Sequence, residues 1–352
     1  MKTWNDELLD RMRQTGDPAA DAVVAEIFAE ENKGDAGRVM QALARHEEDP
    51  GAYPEYCRDY LAATAELPAW ADRRRMERGR RFYERSAPEI GLALGLLTLP
   101  YCYAAADGAK VLAFSKRLED DAYKRMQETG QFVWNVMRPH AFAANGPGFA
   151  ATRQVRLLHA TIRHHVGKSP RWDSTWGVPV NQEDQGGTNL AFSFITMRGL
   201  RRMHVPIDPT DGEDFLHLWN VVGSRLGVPD AMLPENLKEA YALDRHIARR
   251  QFRASDEGRS LTAALLKVLE AHTPNAAARR LAPQYMRFLL GDEVADLLAV
   301  PAAGPGQRLL EPVRLWNLVR GTFADPDQAR PLPVGGLGEG DPYPFRLPAR
   351  VG

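Results

Sequence analysis

At 352 residues, with 44% hydrophobic and 26% charged side chains, the chain has a globular balance and enough apolar residues for a sizeable core. Forty-five basic against 46 acidic residues leave a net charge of −1, which argues against a general electrostatic grip on nucleic acid or an anionic membrane. Cys57 and Cys102 stand in no metal-ligand or redox spacing, which argues against a disulfide scaffold and a structural zinc site.

The first residues, Met-Lys-Thr-Trp-Asn-Asp-Glu, are acidic where a signal peptide needs an apolar run, so a cytoplasmic protein is expected. Asn5 or Asp6 can cap a first helix, which Gly16-Asp17-Pro18 stops. Asp17-Pro18 then opens a second, with Val23, Val24, Ile27 and Phe28 at helical spacing. Helices are predicted over 35–44 and 54–65. The run 72–85 holds seven arginines and mixed acids, the pattern of a solvated helix face. Ile90 to Ala106 is uncharged but interrupted by Gly91, Gly95 and Pro100. It reads as a buried core helix ending near Pro100 rather than a membrane span, so no integral membrane segment is expected.

A long helix is predicted over 119–137. Gly146-Pro147-Gly148 marks the loop before another, which Gly167 to Pro170 ends. Residues 172–187 read as irregular, and helix resumes over 188–203. Further helices are predicted over 209–226, 236–255, 256–271, 277–290 (kinked or split at Pro283), 293–300 and 309–322. From residue 325 the chain is rich in Pro and Gly without apolar period. Strand-like alternation is almost absent, so the fold is expected to be all-α. The simplest division is one large helical domain, 1–324, followed by an extended tail, 325–352.

The helix containing Arg153 to Val166 carries Val155, Leu158, Ile162 and Val166 on one stripe, with His159 inside it. Arg156 and Arg163 flank the same face at i−3 and i+4. Burial and like charge should hold that imidazole neutral, the form that ligates iron. On pattern alone the blander reading, a core histidine hydrogen-bonded to a carbonyl, is favoured. His164 and His165 point elsewhere around the helix and cannot join His159 on one ion. His217, in Phe-Leu-His-Leu-Trp, is a second imidazole on an apolar helix and reads as a core residue. Motifs for di-iron, serine-hydrolase, phosphate-loop and dinucleotide chemistry are absent. A separate helix carries Arg125 and Thr129 at i, i+4, with Glu128 between them.

Several pieces resemble one family by their order and spacing. Arg156-Leu-Leu-His159-Ala-x-x-Arg163-His164 precedes Trp172 and Val178-Pro-Val-Asn-Gln182. Upstream stand Leu67-Pro-Ala-Trp70-Ala-Asp72, Arg78-Gly79 and Arg125-x-x-x-Thr129. Downstream are Phe215-Leu-His217-Leu-Trp219, Leu226-Gly-Val-Pro229 and Leu290-Gly-x-Glu293-Val294. Over residues 55–300 the chain resembles the MpaB-like oxygenase superfamily, which includes the bacterial latex clearing proteins.

The resemblance implies an all-helical fold with a globin-like core around one haem b. His159 would be the proximal iron ligand, with Arg156 and Arg163 beside it. Arg125 and Thr129 would lie on the distal side, Arg125 near bound O₂ or a propionate. The family reaction is oxidative cleavage of an isoprenoid C=C bond by O₂. Three departures follow. Glu128 stands where rubber oxygenases of this kind carry a lysine. The family's proposed catalytic glutamate would fall near Gly108 or Ala109, where Asp107 is the nearest carboxylate. Nor is a secretion signal expected from the acidic N-terminal residues. The expected function is therefore a cytoplasmic haem b oxygenase using O₂ on a small hydrophobic, unsaturated substrate. Arg125, Glu128, Thr129 and Asp107 would be catalytic. A peroxidase-like or hydroxylating haem enzyme and a non-catalytic haem sensor or carrier are the alternatives.

Overall fold

The structure, a computed structural model, describes residues 2–302 apart from 33, 35, 46–52, 115–121, 145 and 273–275. The helix predicted over 309–322, the division at 324/325 and the tail lie outside the described residues. Several helix starts follow capping side chains. Asn5 Oδ1 accepts from the Leu8 amide at 2.9 Å to open α1 (Asp6–Arg13). Asp17 caps α2 (Pro18–Ile27), whose proline occupies a first-turn position needing no intrahelical donor. Next come α3 (Ala36–Arg45), α4 (Glu55–Ala63), α5 (Arg73–Arg85), α6 (Ala87–Ala93), α7 (Leu99–Tyr103) and α8 (Ala106–Phe114). The pair α9 (Ala122–Met137) and α10 (Pro147–Val166) precedes α11 (Gln182–Leu190) and α12 (Thr196–Arg202). The last five among the described residues are α13 (Pro209–Arg225), α14 (Leu237–Gln251), α15 (Asp256–His272), α16 (Ala276–Leu290) and α17 (Asp292–Leu297). Among the described residues there is no strand, only an isolated bridge between Ala105 and Phe252. The fold is all-α, and no described helix is long and apolar enough to cross a membrane.

Two cores form. The larger draws on residues from Trp4 to Val300. The smaller gathers Val24 and Ile27 of α2, Val39 and Leu43 of α3, and Cys57 of α4 against Leu157 and Ala160 of α10. One helix, α10, therefore belongs to both cores.

The uncharged run 90–106 does not end at Pro100. A π-helical turn over Leu94–Thr98 joins α6 to α7, and Pro100 sits in the first turn of α7. The wider turn accommodates a residue that cannot donate to the preceding turn. A second π turn spans Ala191–Ile195 between α11 and α12. The two meet where the Thr98 and Thr196 hydroxyls hydrogen-bond at 2.8 Å, and Thr196 also donates to the Ala191 carbonyl at 3.0 Å. The expected break at Pro283 does not split α16. Burial of Tyr285, Met286 and Leu289 offsets the lost backbone bond.

The arginine-rich α5 is only half a solvated face. Met76, Gly79, Phe82 and Tyr83 are buried against α13. Arg75 Nε and Arg78 Nε both donate to the buried Asp214, at 2.9 and 2.5 Å. A Cβ at Gly79 would lie 2.5 Å from the Asp214 carbonyl oxygen. Helix propensity alone would favour alanine there by about 1 kcal/mol, but backbone of α13 cannot rotate away. We expect Gly79→Ala to lower stability by about 1–3 kcal/mol through overpacking. Thermal unfolding checks this, and an unchanged or higher Tm would refute the close approach.

Candidate active site

The site begins with the sharp corner between α9 and α10. The Gly148 amide donates to the Ala141 carbonyl at 2.8 Å. A Cβ at Gly146 would sit 2.4 Å from the same oxygen, so the approach requires glycine. Phe142 and Phe149 pack edge-to-face across the corner, centroids 5.6 Å apart. Arg125 lies twelve residues before the end of α9 and His159 twelve after the start of α10. At 1.5 Å per residue, each projects about 18 Å along its helix from the corner.

On α10, Leu158, His159 and Ile162 remain half-buried, so neighbouring side chains do not close the apolar stripe. The flanking arginines are committed to α2. Arg156 donates through Nε and Nη2 to the two oxygens of Asp17, at 2.5 and 2.8 Å. Arg163 Nε donates to Asp21 Oδ1 at 2.6 Å and Nη1 to the Val180 carbonyl at 3.1 Å. These pairs absorb much of the positive charge that brackets His159. The imidazole is nevertheless pushed down to about 4, first by burial and then by Arg163. It is neutral at physiological pH.

Its tautomer is set by Gln185, which the sequence reading places in an irregular stretch. Helix α11 in fact starts at Gln182, because the Asn181 side chain accepts from the Asp184 amide at 2.9 Å. That brings Gln185 Oε1 to 3.2 Å from His159 Nδ1. An amide oxygen only accepts, so with this amide orientation Nδ1 carries the proton and Nε2 presents its lone pair. Nε2 makes no hydrogen bond among the described residues. Asn181 is the signal that could have found this helix; Gly186-Gly187 masks it.

The remaining candidates divide. Arg125 has no carboxylate partner among the described residues, and its charge acts on the buried Tyr103 hydroxyl. Thr129 donates its hydroxyl proton to the Arg125 carbonyl at 2.8 Å, leaving its oxygen to accept. Glu128, half-buried on the same turn, engages in a polar interaction of its own. Asp107 is ion-paired with Arg253 and lies 3.8 Å from Arg13 Nη2. It therefore joins α8 to α1 and to Arg253, two residues beyond α14. No group of three His, Cys, Asp or Glu side chains converges on a metal position among the described residues.

This arrangement can be set beside known proteins. Residues 80–322 match the family described as ER-bound oxygenase mpaB/B'/Rubber oxygenase, catalytic domain. The chain belongs to this family. The rubber oxygenase of Streptomyces sp. (strain K30) is 25% identical over 307 residues, covering 86% of this chain and 74% of that protein. The structure of latex clearing protein in the closed state superposes with a TM-score of 0.76. That match covers 91% of this chain and 86% of the other at 24% identity, a likeness of fold. The all-α architecture expected from the sequence is thus that of a mpaB/rubber-oxygenase domain. The family match starts at residue 80, within α5, so Asp17 and Asp21 come from helices preceding the matched segment.

His217, the rival imidazole, is a structural residue of this oxygenase domain. Its Nε2 accepts from the Asp72 amide at 3.0 Å, at the cap of α5, and Trp70 packs edge-on at 5.7 Å. Burial first, then Arg75, hold its pKa below the usual 6.5. As pH falls through 6.5, the unfolded chain binds a proton that the folded chain refuses, so this stability is lost towards acid. Unfolding free energy by urea titration should fall more steeply from pH 7 to 5 in the parent than in His217→Gln. Parallel curves would show that His217 does not titrate this way.

Proposed function

We propose that this chain is a haem b-dependent oxygenase that uses O₂ to cleave a C=C bond in a small hydrophobic, isoprenoid-like molecule. The observation that carries the reading is His159: neutral, fixed through Nδ1, and open at Nε2 on an unclosed apolar stripe. Those features suit a haem, which needs one neutral imidazole and an apolar slot. The Streptomyces relative is named for rubber, a polyisoprene, and family membership brings an unsaturated hydrocarbon within the substrate class.

When bound, haem b would supply the iron at which O₂ is held and activated. The protein's own groups would do the rest. His159 would hold the metal through Nε2, and Gln185 would orient the ring and raise its basicity by accepting from Nδ1. Leu158 and Ile162 would exclude water from one side. Arg125 offers a cation without a carboxylate partner among the described residues, suited to a propionate or to negative charge developing on oxygen. Thr129 would accept a hydrogen bond, and Glu128 would hold or move a proton nearby. Asp107 would position α8. Arg156 and Arg163 would support the proximal helix through α2. Overall, one O₂ and one double bond give two carbonyl groups, each keeping one oxygen atom.

Pyridine extraction of the purified protein should give a haem b spectrum. His159→Ala should abolish stable haem binding while His217→Ala keeps it, read from the Soret band. The reverse pattern would move the proximal site to α13.

Two further variants separate binding from turnover. Gln185→Leu should weaken haem binding about 10–100-fold, as loss of an outer hydrogen bond does. Arg125→Ala should keep the haem yet lower kcat about 10²–10³-fold. Carbonyl formation from an isoprenoid oligomer, measured alongside O₂ uptake, checks both; an Arg125→Ala enzyme as fast as the parent would remove Arg125 from the reaction.

A further inference from the structure

The flank of α10 that bears Arg153 and Arg156 meets α4 and α13 in a second polar cluster. Tyr60, Arg153 and Arg225 are 4%, 4% and 5% exposed. Arg156 lies over the Tyr60 ring at 5.7 Å, and Arg225 over the Phe149 ring at 4.8 Å. Asp17 is bound through both oxygens to Arg156. Arg225 has no such partner among the described residues: Nη1 donates to the Glu66 carbonyl at 2.9 Å, while Nε and Nη2 are buried without a hydrogen bond. The Tyr60 hydroxyl is likewise buried without a partner.

Arg225 demands compensation, because a buried charge without a counter-charge is strongly unfavourable. Burial, then Arg153 and Arg156, push Arg225 down to about 10. Water could satisfy the orphaned donors but not the charge. We propose that Tyr60 and Arg225 bind a small inorganic anion, chloride in kind, in this seam. The anion would accept from the Tyr60 hydroxyl and from Nε and Nη2 of Arg225, with Arg153 and Arg156 supplying further positive potential. Three donors and near-complete burial suit a spherical monovalent ion. Phosphate has more oxygens and charge than these donors satisfy.

The location gives the ion a structural role. Tyr60 belongs to the smaller core, and Arg225 ends a helix of the larger one. The ion would bridge helices that precede the family segment to helices within it.

The test is thermal unfolding of the full chain in sodium chloride, bromide, phosphate or methanesulfonate at fixed ionic strength. Tm should rise with chloride and with bromide, as it does for any ligand of the folded state. Arg225→Met should abolish the chloride-specific rise. Tyr60→Phe should shift its midpoint about tenfold to higher chloride, since it loses one hydrogen bond to a charged acceptor. If Arg225→Met does not fold, the Tyr60→Phe shift decides. A parent Tm indifferent to the anion would overturn the proposal, as would the same anion dependence in Arg225→Met. So would a Tyr60→Phe protein equally stabilised in every salt, the mark of a deleted orphan hydroxyl. A rise confined to phosphate would overturn the assignment to a halide.

Discussion

Two guanidinium–carboxylate contacts between α10 and α2 set the conditions around His159. The imidazole must stay neutral to offer a lone pair, and both flanking positions are arginines. Left unpaired, those arginines would be two buried charges at the centre of the fold. Asp17 takes both of its oxygens to Arg156 and also caps α2. Asp21 takes one oxygen to Arg163 and the other to the Asp17 amide. Removing either acid would expose the cost of a lone buried cation, commonly about 3–5 kcal/mol. It would also leave more uncompensated charge beside the imidazole, lowering its basicity further. The imidazole on α10 is thus tuned from the far side of its helix by acids that never touch the ring.

Much of the architecture is legible one helix at a time. Asn5, Asp17, Asp208 and Asn236 each cap the helix that follows, as their side chains and positions suggest. What is not legible depends on residues far apart in the chain. Nothing local marks the π turn at Leu94–Thr98. Its partner hydroxyl, on Thr196, is 98 residues away, and an uncharged run shows no register. The arginines of α5 follow the same logic. Their charge pattern suggests solvent, and only the buried Asp214 of α13 shows that one side is an interface.

The candidate site divides along the same line. The His159 stripe and its two arginines stand out because they lie on one helix and share its period. Gln185 does not, because two adjacent glycines look like a loop where the Asn181 cap has already started a helix. Asp107 is the converse case: sequence position brings it near a proposed catalytic role, yet its carboxylate is engaged by Arg253 and Arg13. Proximity along the chain identifies a carboxylate. It does not say which cations have claimed it.

The first two helices gain a function from this. The family segment begins at residue 80 and contains Arg13's partners Glu183 and Asp184, as well as Arg156 and Arg163. It contains none of Arg13, Asp17 or Asp21. Cut at that point, it would hold two arginines without their α2 carboxylates and two acids without their α1 arginine. Arg13 Nη1 reaches Glu183 and Asp184 at 3.1 and 3.0 Å, and the Arg13 carbonyl accepts from Val178. The early helices therefore clamp both sides of the His159–Gln185 contact: α2 through α10, and α1 through α11. A hydrogen bond that fixes a tautomer is only as well placed as the two helices that carry it. Here both are held by residues that precede the segment matched by the family model.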